Sequence, residues 1–318
     1  MSLDGAVRWL ESNRGEIRRL LDVYGALYVR GLPITNVTEF GRIRDMLIRS
    51  RASYREKATP RSEFGDDVYS STDFPRSEMI RAHNENSYTL SFPGTLIFCC
   101  LDAADEGGAT PVVDVRRVLR SIPESLVDKF RSVGWGLTRN YVDLIGLNWQ
   151  TAFGTDNPAD VAIYCDRNRI AYSWSDNGWL RTTQRRSALI THPRTGDEVW
   201  FNHVAFWSEW SLGADVREAL TDGFGRENLP FNTSFGDGSL IGPDEHRIIE
   251  QAYERESVRE SWQPGDLLIV DNLLAAHGRE PFTGSRNILV AMGDPIDLAQ
   301  CAPTVEPMGS LAGTQAPS

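Results

Sequence analysis

His83 and Glu85 stand two residues apart in Arg81-Ala82-His83-Asn84-Glu85-Asn86-Ser87-Tyr88, and a third candidate ligand, His277, lies far along the chain in Asp271-Asn272-Leu273-Leu274-Ala275-Ala276-His277-Gly278-Arg279. On an extended strand, residues i and i+2 point to one face, so His83 and Glu85 can both reach one ion. Two imidazoles and one carboxylate, with the other coordination positions open, form the set that holds Fe(II) where dioxygen is activated. The spacing alone is weak evidence. With 44 acidic residues in 318, five histidines give about 0.7 chance His-x-acid matches.

Arg286 is an independent check, nine residues after His277. In Arg286-Asn287-Ile288-Leu289-Val290-Ala291-Met292, a period of two puts Arg286 on the face of Ile288, Val290 and Met292. A cation against an apolar interior needs an anionic partner, because an unpaired buried charge is costly. A carboxylate suits the guanidinium fork, and that carboxylate is either an internal acid or a ligand.

The text around these residues narrows the choice. Glu85 leads into Phe92-Pro93-Gly94 and an apolar run from Thr95 to Leu101, followed by Gly107-Gly108-Ala109-Thr110-Pro111; Trp262-Gln263-Pro264-Gly265-Asp266 introduces the strand before His277. With these motifs the chain resembles the taurine dioxygenase and clavaminate synthase-like family of Fe(II)/2-oxoglutarate oxygenases. It is most similar to the syringomycin-biosynthesis-like branch, whose members often act on amino acids or on aminoacyl groups carried by carrier proteins. The resemblance implies a double-stranded β-helix, the jelly-roll, cupin-like barrel. It implies Fe(II) on His83, Glu85 and His277, and 2-oxoglutarate with its distal carboxylate on Arg286 and Thr110, dioxygen being the other cosubstrate. Asn86, Asn202 and Arg279 become candidate substrate contacts, with Arg279 alternatively holding its loop and Asn202 alternatively capping its strand. His203 and Trp207 are placed near a substrate pocket or in the core, while His192 and His246 read as surface residues.

The expected activity is hydroxylation of an unactivated C–H in an amino-acid-derived substrate, free or carrier-tethered, in secondary-metabolite biosynthesis. Desaturation, epoxidation and cyclisation are the alternative outcomes. Halogenating relatives replace the carboxylate with a small residue; Glu85 argues for oxygenation instead. A metal-dependent hydrolase with the same ligands leaves Arg286 and Thr110 unexplained. A non-catalytic cupin-like binding protein needs no intact triad.

The elements that position these residues read as a β-rich core with helical insertions. Apolar positions at helical spacing mark helices before Val23, over Val37–Ser50, Val115–Ser132, Gly213–Phe224 and Pro243–Val258, with short ones around Trp149 and after Pro158. Strands read at Gly25–Gly31, Gly136–Val142, Ile170–Trp174, Asp266–Val270 and Arg286–Met292, with a hairpin over 187–203 and a Gly-bearing loop carrying His277. Residues 51–76 form a long polar segment, a candidate lid. One domain is expected over residues 1–301, with a Pro/Gly-rich tail over 302–318 expected to be disordered.

Composition is that of a globular protein, 41% hydrophobic and 24% charged, and the net charge of −11 argues against nucleic acid or an anionic membrane as partner. The partner expected is a small-molecule substrate. Neither of the two lysines, Lys57 and Lys129, follows a glycine, so there is no phosphate-cradling loop. Cys99, Cys100, Cys165 and Cys301 have no zinc-site spacing, and the N-terminus has no basic-then-apolar leader. A reducing cytoplasm is the expected compartment.

Overall fold

The computed structural model describes residues 1–52, 56, 65, 67–70, 74–142, 146–309 and 311. Two antiparallel sheets face one another. The larger has the strand order Ala26–Val29, Leu267–Asp271, Ser91–Asp102, Asn287–Asp297, Val68–Ser70. The smaller runs Ser257–Val258, Val112–Asp114, Ala275–Arg279, Ile80–His83. This is the double-stranded β-helix architecture that the resemblance implies.

Strand alternation explains why the apolar run from Thr95 to Leu101 is continuous. Leu96, Phe98 and Cys100 turn into the space between the sheets with Val270, Ile288, Val290 and Met292. Ile97 and Cys99 turn the other way, onto Ala6, Leu10, Ile17, Phe40 and Ile43 of the helices Leu3–Ser12, Arg14–Tyr24 and Val37–Leu47. A central strand covered on both faces has no polar side to show. Each such Leu, Ile or Phe contributes about 1.5–3 kcal/mol by burial. All four cysteines are free and buried, and burial pushes the Cys100 thiol up to about 12.

Several elements depart from the sequence reading. The helix expected over 115–132 is two, Val115–Ser121 and Glu124–Val133. Pro123 between them has no N–H and holds Ile122 extended. His277 sits not in a loop but in the strand Ala275–Arg279. A third sheet, Phe231–Phe235, Trp135–Tyr141, Leu180–Arg186, Ala171–Trp174, contains two strands that the pattern missed. Leu180–Arg186 buries alternate residues, but those include Thr182, Gln184 and Arg186, so its inner face carries no apolar signature.

The expected disorder of the tail fails over residues 302–309: Met308 exchanges backbone hydrogen bonds with Arg185, and Val305 N donates to Ser187 Oγ. Residues 312–318 lie outside the described residues, as does most of the candidate lid. Of that segment, Val68–Ser70 pairs with the strand Asn287–Asp297, and Glu56 is buried. His192 and His246 are also buried rather than on the surface. His192 Nε2 lies 3.3 Å from Asp271 Oδ2, and His246 Nε2 lies 3.2 Å from the Ala205 carbonyl.

Candidate metal centre and its surroundings

His83 and His277 are directly opposed in neighbouring antiparallel strands. Opposed residues share a face, so the register brings the two rings to 4.6 Å between centroids. Glu85 lies beyond the end of its strand, in a turn, so the same-strand-face reasoning does not describe how its carboxylate arrives. Its Oε2 is nevertheless 3.7 Å from His277 Nε2. One donor atom from each of the three residues lies within 4.8 Å of the others, the one such group of His, Cys, Asp or Glu found among the described residues.

Asn272 holds the turn. Its Oδ1 accepts from Glu85 N at 2.7 Å, and its Nδ2 donates to the carbonyls of Glu85 (2.9 Å) and Pro93 (2.7 Å). Asn84 Nδ2 in turn donates to the Asn272 carbonyl at 2.7 Å. All of these residues are buried. His83 Nδ1 is 2.9 Å from the Arg81 carbonyl. A carbonyl only accepts, so the proton belongs on Nδ1 and the Nε2 lone pair is left for a metal. Two neutral imidazoles and a fixed carboxylate fit Fe(II).

The basic side chain expected in the interior is also in place. Phe98 packs its ring 5.1 Å from that of His277 and shares the intersheet core with Ile288 and Val290. Just before that strand, Arg286 donates through Nε to the Gly108 carbonyl (2.8 Å) and through Nη2 to Thr110 Oγ1 (3.2 Å). Trp262 Nε1 donates to the same hydroxyl at 3.1 Å. Gly107 and Gly108 have φ of +70° and +69°, and a Cβ on Gly108 would come within 3.1 Å of Arg286 Cδ, so the turn requires glycine. Burial first, then Arg279, pulls the Arg286 guanidinium down to about 10.

The three expected substrate contacts fare differently. Arg279 donates to the carbonyls of Phe74, Pro75 and Glu78 and packs against Phe282, so it ties down the chain entering the Ile80–His83 strand. Asn202 donates to the Ala188 carbonyl and accepts from Val204 N, the capping alternative. Asn86 has φ of +54° and accepts from the Tyr88 hydroxyl at 3.2 Å. His203, one residue beyond Asn202, is the one beside the metal centre. Its ring lies 5.4 Å from that of His83, with Phe206 and Trp207 packed on it. Burial first, then His83 and Arg139, holds its pKa well below the usual histidine range. The sequence had left His203 open between the substrate pocket and the core.

Comparison with known proteins settles the family. Residues 1–292 match the family described as taurine catabolism dioxygenase TauD, TfdA family. The chain belongs to this family. It is a non-haem dioxygenase using Fe(II) and 2-oxoglutarate. It is 36% identical over 280 residues to the dapdiamide synthesis protein DdaC of Enterobacter agglomerans, covering 88% of this chain and 85% of that one. It is 25% identical over 308 residues to a clavaminate synthase-like protein of Arabidopsis thaliana, covering 92% and 88%. Two solved structures share the fold: a taurine dioxygenase from Burkholderia xenovorans (TM-score 0.52, 12% identity, 91% and 83% covered) and an asparagine oxygenase (TM-score 0.56, 15% identity, 90% and 79% covered).

Proposed function

We propose that His83, Glu85 and His277 hold the Fe(II) of this dioxygenase, that Arg286 and Thr110 receive the distal carboxylate of 2-oxoglutarate, and that the enzyme hydroxylates an unactivated C–H of an amino-acid-derived substrate. The cross-strand pairing of His83 with His277, with Glu85 held beside them, carries the reading. Bound iron would supply the reduction of dioxygen, coupled to conversion of 2-oxoglutarate to succinate and CO₂. The protein's part is orientation and exclusion of water. Asn272 fixes the Glu85 backbone, and the Arg81 carbonyl fixes the His83 tautomer. The Arg286 guanidinium, steadied by the Gly108 carbonyl and Thr110 Oγ1, brings a positive charge of a shape suited to a carboxylate into a half-buried place where charge-assisted bonds are strong.

A biosynthetic role is supported by the relative that takes part in dapdiamide synthesis, and a small-molecule substrate, free or presented on a carrier protein, fits it. Glu85 fills the place that a halide would need, which supports oxygenation over halogenation. The test is turnover of candidate amino acids, free and thioester-linked, in chloride-rich buffer under ¹⁸O₂. One labelled oxygen in the product and one succinate per turnover are expected. A chlorinated product refutes the role given to Glu85, and an unlabelled desaturated or cyclised product refutes hydroxylation.

A further inference from the structure

We infer that His203 contacts the substrate and selects an uncharged hydrogen-bonding group, an amide or hydroxyl, next to the carbon that reacts. The inference rests on the metal-centre reading above. His203 is only 2% exposed. Its Nδ1 is 2.6 Å from Ser87 Oγ, in the same turn that carries Glu85. Among the described residues its Nε2 has no hydrogen-bond partner. In this otherwise buried ring Nε2 is not fully enclosed, so beside a reaction centre it is a polar atom that a ligand group can reach and satisfy.

The surroundings say what kind of ligand. Tyr88, Phe206 and Trp207 pack around the imidazole, at 5.3, 5.3 and 4.3 Å between ring centroids. Trp207 stacks on Phe231 at 4.9 Å. The nearby guanidinium of Arg139 is itself buried 3.5 Å from Glu56 and packs over the rings of Trp207 and Phe231, so it has no hydrogen bond to the imidazole. A carboxylate seated against His203 would enter an aromatic wall with no cation bonded at that spot, which costs more than seating a neutral dipole. Asn202, beside it in sequence, spends its amide on the backbone, which leaves His203 as the polar side chain presented from this loop. Ser87 acts through His203, as a positioning residue that fixes the ring.

The experiment uses the full chain loaded anaerobically with Fe(II) and 2-oxoglutarate, and reads the visible charge-transfer band as isosteric amide and carboxylate pairs are added: asparagine against aspartate, glutamine against glutamate. At least one amide should perturb the band at a concentration about tenfold or more below its carboxylate partner, the size of one hydrogen bond. In His203→Phe the band without amino acid should persist and the amide preference should fall about tenfold. His203→Gln should restore part of it, and Ser87→Ala should weaken it with the band intact. Equal response to amide and carboxylate, no response to either pair, or a preference unchanged in His203→Phe overturns the inference. Absence of the band in the unsubstituted protein overturns the metal-centre reading and this inference with it.

Discussion

At the scale of single residues, Asn272 matters to the centre as much as the proposed ligands do. One side chain satisfies both backbone groups of Glu85 and the carbonyl of Pro93, so Asn272→Ala leaves three buried polar groups unmatched. The expected cost is about 2–4 kcal/mol, with iron affinity falling roughly 10–100-fold. Paired thermal melts and anaerobic iron titrations read the two effects; a variant that melts lower yet binds iron normally would show that Asn272 is structural only. The three proposed ligands, Thr110 and Arg286 stood out in the sequence because their residue types and neighbouring motifs are unusual together. Asn272 did not. A side chain bonding to distant backbone leaves no periodic trace, and the carbonyls it meets are nearly two hundred positions away. The same limit left Asn202 and Arg279 open between substrate contact and a structural role, and both donate to main-chain carbonyls.

Element-scale placement of the centre depends on the Ile80–His83 and Ala275–Arg279 strands staying close. A Cβ on Gly278 would lie 2.6 Å from the Ile80 carbonyl oxygen. Gly278→Ala should therefore push the two strands apart, costing about 1–3 kcal/mol and weakening iron binding even though no ligand is altered. Unchanged iron affinity in that variant would mean that the register tolerates the shift. Asp271, at the end of the strand Leu267–Asp271, sets a pH dependence. Burial pushes its carboxyl up, but His192 and Arg194 outweigh that and hold it below the ordinary value. The folded state thus binds its proton less readily than the unfolded chain, so the stabilisation is present above the ordinary carboxylate pKa and lost as pH falls through the depressed one. Asp271→Asn should lower stability at neutral pH by about 1.5–3 kcal/mol and flatten the acid limb in melting temperature measured from neutral pH downward. An acid limb as steep as before would assign it to other groups. Strands with apolar inner faces were readable; Leu180–Arg186, whose inner face holds Thr182, Gln184 and Arg186, was not.

For the whole molecule, patterning alone reached a β-rich chain with helical insertions, and the two facing sheets came from family resemblance, because pairing partners such as His83 and His277 are far apart in sequence. The C-terminal stretch was misread for a related reason. It has no period, and is held by isolated contacts: the Met308–Arg185 backbone pair, Val305 on Ser187, and Leu311 buried over Gly136. Ending the chain after Cys301 should uncover that surface and remove a buried leucine worth about 1.5–3 kcal/mol, lowering the melting temperature by roughly 3–10 °C while iron binding survives. An unchanged melting temperature would mean that these contacts add nothing. The central claim concerns the iron and 2-oxoglutarate residues, and anaerobic titration of the protein with Fe(II) and 2-oxoglutarate tests it most directly. The visible charge-transfer band should form in the unsubstituted protein, be abolished by His83→Ala and by His277→Ala, and require far more 2-oxoglutarate in Arg286→Ala. A band of normal intensity in either histidine variant, or no band in the unsubstituted protein, would contradict it.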